Sequence, residues 1–233
     1  MMNAKHFCYL CGSSQLKLIK VITKKPDVEV DYQIPKEKYH REIFRCEDCG
    51  AFNNFHNLIE DDFYKGFYNN AITSKSFQKR FERIINLPKG QSDNKNRVER
   101  VENFLSERVA DIKEKKALDI GSGTCVFLYE IKKHGLHTTC IDPDQQAIDH
   151  AINFVKVDRG HVGSLENFEP ETNFDLICFN KVLEHVKSPI MNVKEAVKYL
   201  ADDGIMYLEM PEGESIFNEQ IIDQRAEFAV EHY

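Results

Sequence analysis

No stretch of the 233-residue chain approaches the ~18 consecutive apolar residues that span a bilayer, and its opening, MMNAKHFCYLCG, has no apolar core of the kind a secretory signal carries. Neither a membrane span nor export is expected, and the cytoplasm is the expected compartment. Glycine (11) and proline (7) are too scarce for a collagenous or low-complexity chain, and 42% hydrophobic residues is too many for a disordered one. Two domains of about 150 residues each would not fit, which leaves one full domain with a small appendage. An excess of positive charge is also missing, since a net charge of -7 argues against a wide nucleic-acid-binding face. That charge is unevenly shared: residues 1–116 hold 22 Lys+Arg and 17 Asp+Glu, a net of +5, whereas residues 117–233 hold 9 and 21, a net of -12. The front half is therefore either a solvated surface or a face for a phosphate-bearing ligand.

Seven cysteines is an odd number, which excludes a complete disulfide framework. Four of them form two matched pairs, Cys8 and Cys11 in CYLCG and Cys46 and Cys49 in CEDCG, each followed by glycine and separated by 34 residues. A tight turn lets two thiolates three positions apart face one tetrahedral ion, and the glycine relieves the backbone as its N–H groups turn toward sulfur. Two such knuckles make a closed four-sulfur zinc site with no open position for water, so the metal is expected to be structural. Residues 1–60 offer few apolar side chains, with strand character in LKLIKVIT, VEVDYQI and EIFRC, and a domain of that kind needs a staple. A redox pair or two disulfides are the competing readings of the same cysteines.

Residues 61–108 read as linking helices: Tyr64, Phe67 and Tyr68, then FQKRFERIINL, then RVERVENFLSERVADI, place apolar residues at helical spacing opposite charge. PKGQSDNKN (88–96) reads as a loop or boundary between them. From Lys116 onward short apolar runs alternate with helical segments, the pattern of an α/β domain with a parallel sheet covered on both faces. Strands are expected at ALDIG (117–121), HTTCID (137–142), NFVKV (153–157), FDLICFN (174–180) and GIMYLEM (204–210). Cys125, Cys140 and Cys178 fall in or beside these elements and read as small buried apolar residues.

An open α/β sheet binds its ligand at the C-terminal ends of its strands. The first strand ends in ALDIGSGTCVF, where Gly121, Ser122 and Gly123 form a loop in which the backbone comes close to a ligand and the next helix starts with its N–H groups facing it. The third glycine of a dinucleotide fingerprint is absent, with Val126 in its place. Asp119 would repel a pyrophosphate and attract an ammonium or sulfonium. Asp142, 23 residues further on in CIDPD with Pro143 after it, can accept both ribose hydroxyls of a nucleoside. The plainer alternative is that both acids cap the following helices.

ALDIGSGTCVF, CIDPD, FDLICFNKVLEHV and GIMYLEMP together resemble the ordered motifs of class I S-adenosylmethionine-dependent methyltransferases, over about residues 95–211. The resemblance implies a Rossmann-like, doubly wound sheet in a domain of residues 109–233. It implies that Asp119 to Gly123 cradle the methionine end of the cofactor, that Asp142 holds the ribose, and that Asn180 faces the methionine. Adenine is expected near His161 to Leu165, where HVGSLENF stands in place of the aspartate many relatives carry. The zinc-ribbon-like domain in front narrows the resemblance to sugar C-methyltransferases acting on nucleotide-linked deoxysugars. Those relatives carry a Glu-His motif after the fifth strand, onto which Glu231 and His232 fall, although Ala229 stands where the family has tyrosine. They also continue with further strands and another domain, so the resemblance implies a methyltransferase domain cut short at Tyr233.

Carbon methylation, as the resemblance implies it, needs a base beside a ketone. His232 is the first candidate because imidazole titrates near neutrality, with Glu231 orienting it and His185 in LEHV as a second base or acid. Two other classes share these features: methylation of an RNA or protein held by the basic front half, and a non-catalytic module whose zinc domain recruits a partner. The expected acceptor is a small molecule, with neither nucleic acid nor membrane as partner.

Overall fold

The computed structural model describes residues 6–26, 39–56, 74–108, 111–213 and 232–233. The chain forms two compact units, one from residues 1–71, 183–192 and 210–233 and the other from 72–182 and 193–209.

The first unit contains an antiparallel sheet in the order β1 (Leu16–Ile22), β2 (Arg41–Cys46), β3 (Phe52–His56). Among the described residues it packs one apolar cluster, Ile22, Tyr39 and Ile43 with Phe52 against them, and an aromatic group of His6, Tyr9, Phe44 and Phe55. The two cysteine turns adjoin this sheet: Cys46 ends β2, and the Glu47 N–H donates to the Gln15 carbonyl at 2.9 Å. LKLIKVIT and EIFRC become β1 and β2 as expected, while VEVDYQI, Tyr64, Phe67 and Tyr68 lie outside the described residues. Strand β3, FNNFH, is not foreshadowed by the sequence because asparagine is a poor strand former. Its Asn53 side chain instead ties the first cysteine turn to the sheet, accepting from the Tyr9 N–H at 2.8 Å and donating to the Ala51 carbonyl at 3.1 Å.

In the second unit, helix α1 (Ser74–Ile85) buries Phe77 and Phe81, four apart on one face. Helix α2 (Asp93–Ser106) buries Val98, Val101 and Leu105 along its own stripe. The stretch 88–96 is only partly a loop: Lys89–Gln91 form a 3-10 turn, and Ser92 caps α2 by accepting from the Lys95 N–H at 3.2 Å. The parallel sheet follows, β4 (Lys116–Ile120), α3 (Val126–Lys132), β5 (His137–Asp142), α4 (Gln145–His150), β6 (Arg159–Val162), β7 (Phe174–Asn180), α5 (Pro189–Val197) and β8 (Leu200–Glu209), in strand order β6-β5-β4-β7-β8. This is the Rossmann-like arrangement expected. Its central strands β4, β5 and β7 are buried over most of their length, as expected of a parallel sheet covered by helices, and Cys125, Cys140 and Cys178 are fully buried in that core as small apolar residues.

One strand expectation is wrong. NFVKV does not form β6: residues Ala151–Val155 prolong α4 as a π-type turn, with Ala151 and Val155, four apart, buried and Phe154 exposed. The true third strand is the polar RGHV of 159–162, paired with Thr139–Asp142. It needs no apolar alternation because it lies at the sheet edge, and Gly160 stands where a Cβ would come within 2.9 Å of Ile148.

The turn after β4 depends on one glycine. Gly121 has φ +67°, and a Cβ there would approach Val182 Cγ2 to 2.7 Å. Gly121→Ala is therefore expected to destabilise the protein by about 1–3 kcal/mol in urea unfolding. Gly90→Ala, with open space around it, should stay within about 0.5 kcal/mol of the parent.

Candidate functional site

Among the described residues three clusters carry chemistry, and the first is the cysteine set. Cys8 and Cys46 start turns closed by N–H bonds from Gly12 and Gly50 to their carbonyls, at 2.8 and 2.9 Å, and both glycines take positive φ, +75° and +78°. The Sγ atoms of Cys8 and Cys49 are 3.6 Å apart, as are those of Cys11 and Cys46. All four sulfurs lie within 4.8 Å of one another. A disulfide requires about 2.05 Å, whereas a tetrahedral ion about 2.3 Å from each sulfur sets them about 3.8 Å apart. The spacing is that of a ligand set. Burial pushes the Cys49 thiol up to about 12. At Cys46 burial acts in the same direction, but N–H groups of Cys49 and Asp48 outweigh it and bring the thiol down to about 7.

The second cluster lies at the C-terminal ends of β4, β5 and β7. Asp119, 2% exposed, accepts from Asn180 Nδ2 at 2.7 Å. Burial pushes the Asp119 carboxyl up to about 7 against the opposing effect of the Asn180 bond and the Arg97 charge. Asn180 Oδ1 is buried with no hydrogen-bond partner, which leaves an acceptor ready for a ligand donor beside an acid ready for a cation. Asp142 accepts from the Gly123 N–H at 2.8 Å and the Asp144 N–H at 2.9 Å, so it fixes both the glycine loop and the start of α4. Burial raises its pKa as well. Each carboxylate oxygen retains acceptor capacity beyond those bonds. Neither acid is a helix cap: Asp144 caps α4 through the Gln146 N–H at 2.8 Å. The Gly121 and Ser122 N–H groups donate to the Ile141 carbonyl at 2.8 and 3.3 Å. Pro143 follows Asp142 in the turn before α4. The His161–Leu165 segment closes through Gly163, whose N–H donates to the Asp142 carbonyl at 3.0 Å.

An ion-pair network that the sequence did not disclose supports this cluster. Arg97 on α2 is buried and bonds Glu209 at the end of β8 with two nitrogens, one of them at 3.0 Å. Arg100 adds a bond of 3.1 Å and Tyr207 one of 2.7 Å to the same carboxylate. Burial acts to raise the Glu209 pKa, yet these partners hold it down at about 2. In RVERVENF the arginine reads as part of a solvated charged face, and only its position on the same stripe as Asn94, Val98 and Val101 hinted otherwise.

The third cluster belongs to the first unit. The His185 and His232 rings meet edge to face, centroids 4.7 Å apart at 76°, with Glu184 beside them. The Tyr233 N–H donates to the Glu184 carbonyl at 2.8 Å, and Asn54 Nδ2 donates to the His232 carbonyl at 2.8 Å. A cavity of about 250 Å³ opens beside them, lined by Tyr9, Asn54, Glu184, His232 and Tyr233 among others. Sequence reasoning paired His185 with His232 by chemistry alone, and missed Asn54, Glu184 and Tyr233. Glu231 lies outside the described residues.

The Asp119 carboxyl ties stability to pH with a definite sign. Its ordinary pKa of 3.8 applies when unfolded and about 7 when folded, so the folded state alone holds the proton between those values. The stability it contributes is complete below 3.8 and is lost as pH rises through about 7. Asp119→Asn is expected to gain about 1–3 kcal/mol relative to the parent between pH 5 and pH 8, read from urea midpoints. Equal slopes for the two proteins would refute the assignment.

A methyltransferase domain model matches residues 91–232, more than half of the chain. Over 94 residues the chain is 32% identical to the mitochondrial ubiquinone biosynthesis O-methyltransferase of Schizosaccharomyces pombe, a match covering 36% of this chain and 34% of that one. The chain thus spans about a third of the length of that curated relative. The crystal structure of DesVI from Streptomyces venezuelae superposes with a TM-score of 0.50 at 14% identity, over 62% of this chain and 60% of that one. The plantazolicin methyltransferase BpumL, crystallised with a pentazolic desmethylPZN analog and SAH, gives 0.52 at 17% identity, over 74% and 66%. At such identities the likeness is one of fold, and it agrees with the strand order described above. With its glycine loop, its strand-end acids and this match in place, the chain belongs to the methyltransferase domain family.

Proposed function

We propose that the protein transfers a methyl group from S-adenosylmethionine to a small-molecule acceptor, and that the acceptor is a nucleotide-linked keto-deoxysugar methylated at carbon. The observation that carries the cofactor reading is the Asp119–Asn180 pair, a buried acid and an amide with an unused acceptor. Asp119 and the Asn180 Oδ1 would hold the cofactor's α-ammonium group, whose charge would favour the ionised form of Asp119. Asp142 takes the ribose diol, with the N–H groups of the Gly121 to Gly123 loop close by. A cationic, phosphate-free nucleoside suits this set better than a dinucleotide, whose pyrophosphate would meet Asp119. When bound, the cofactor supplies an electrophilic methyl group on a sulfonium.

The acceptor reading rests on the His185–His232 pair in the unit that carries the cysteine set. His232, with its backbone held by Asn54, takes the proton from the carbon beside the ketone. The carbon so deprotonated would be the nucleophile for the methyl group that the bound cofactor would supply, with the electron pair of the broken carbon–sulfur bond left on sulfur. The proton rests on imidazole until water removes it. Holding nucleophile and methyl in line supplies much of the acceleration by removing the entropy of a bimolecular encounter. Cys8, Cys11, Cys46 and Cys49 hold a structural zinc ion that fixes the strand carrying Asn54.

His232→Ala is expected to lower kcat by about 100- to 10,000-fold while leaving S-adenosylmethionine affinity by calorimetry within a factor of about two. Undiminished turnover would remove His232 from the role of base. The purified protein should carry about one zinc per chain by mass spectrometry. Cys46→Ser should lose that metal and with it cooperative thermal unfolding of the first unit. Stoichiometric zinc retained in the variant would disprove the ligand set.

A further inference from the structure

We infer that Glu184, His185 and His232 form a second divalent-cation site, separate from the cysteine set and selective for first-row transition ions. One carboxylate oxygen and one nitrogen of each imidazole lie within 4.8 Å of one another. A cation about 2.1 Å from each donor needs only a small further closure of these side chains. Glu184 and His185 are adjacent in the 3-10 turn Leu183–His185, so two of the three ligands share one short rigid segment. The third is brought to them by the Tyr233 N–H bond to the Glu184 carbonyl, and its own carbonyl is clamped by Asn54. The ring planes stand at 76° to each other, so the two imidazoles meet edge to face and not stacked, and one nitrogen of each lies within reach of the Glu184 carboxylate.

Two imidazoles and one carboxylate favour zinc, nickel, copper or iron over magnesium or calcium, which prefer oxygen alone. Three protein ligands leave further coordination positions, and the cavity of about 250 Å³ that Glu184 and His232 line with Tyr9, Asn54 and Tyr233 gives solvent access to two of the three ligands. The set differs from the cysteine cluster in this openness: the four-sulfur site is closed and retains its ion, whereas this one exchanges with solvent. If His232 acts as the base, a consequence that rests on the functional reading above, a bound cation occupies the imidazole lone pair that proton abstraction requires. Micromolar free zinc then inhibits methyl transfer, and a chelator too weak to strip the cysteine set restores it.

The test uses the 233-residue protein with its cysteine set loaded and loosely held metal removed by dialysis. Cobalt(II) is titrated in and followed by its visible ligand-field bands. One further equivalent should bind, without the intense charge-transfer absorption that thiolates give. Affinity should fall about tenfold or more in each of Glu184→Gln, His185→Ala and His232→Ala. Copper(II) electron paramagnetic resonance on the unmodified protein, which needs no variant to fold, should show coupling to two imidazole nitrogens. No additional equivalent, thiolate charge transfer only, or unchanged affinity in all three variants would overturn the site. Cobalt binding that leaves turnover untouched would keep the site and remove His232 as base. Absent binding, with turnover still lost in His232→Ala, would keep the base and remove the site.

Discussion

A carboxylate enclosed at the end of the central strand is the constraint on which the second unit turns. Asp119 sits among apolar strands with a single amide to hold it, and burial shifts its pKa by several units. Left alone, such a group lowers stability near neutral pH. On the proposed reading it persists because a cationic ligand meets it, and the surrounding groups fit that role. Asn180 is offered from the adjacent strand β7, Asp142 fastens the glycine loop, and Gly121 lets the backbone pass Val182 where a side chain would collide. Strain and desolvation at this point are the expected cost of a preorganised binding surface.

The Arg97–Glu209 network has the opposite thermodynamic sign. Its carboxylate is stabilised in the charged form, so its contribution is present above pH 4.5 and is lost as pH falls toward about 2. Helix α2 is thereby fastened to the end of β8 by charge-assisted bonds as well as by the apolar stripe of Val98, Val101 and Leu105. In the first unit the order runs differently. Among its described residues the geometry passes from the cysteine turns through Asn53 to β3, and from Asn54 on β3 to His232.

Much of the fold was legible where burial dictates sequence. ALDIG and FDLICFN are largely apolar, and their strands, like that of HTTCID, formed at or within one residue of the expected positions. Two elements were not, for identifiable reasons. NFVKV has strand composition, but Ala151 and Val155 serve a helix surface four residues apart, and the strand beyond it hides behind Gly160. FNNFH owes its conformation to side-chain bonds with distant backbone, which no local pattern records. The candidate sites divide in the same way. Asp119, Asp142 and Asn180 stand at strand ends and so could be picked out, as could the paired cysteine turns. Arg97, Asn54 and Glu184 acquire their roles only from partners far away in the chain, Glu209, His232 and Tyr233.

The central claim is that the strand-end acids receive a cationic nucleoside, and a crystal structure of the protein with S-adenosylhomocysteine tests it most directly. The ligand's amino group should lie within hydrogen-bonding distance of both Asp119 and Asn180, with its ribose hydroxyls on Asp142. A ligand bound elsewhere, or one whose amino group and ribose leave those three side chains untouched, would contradict the assignment.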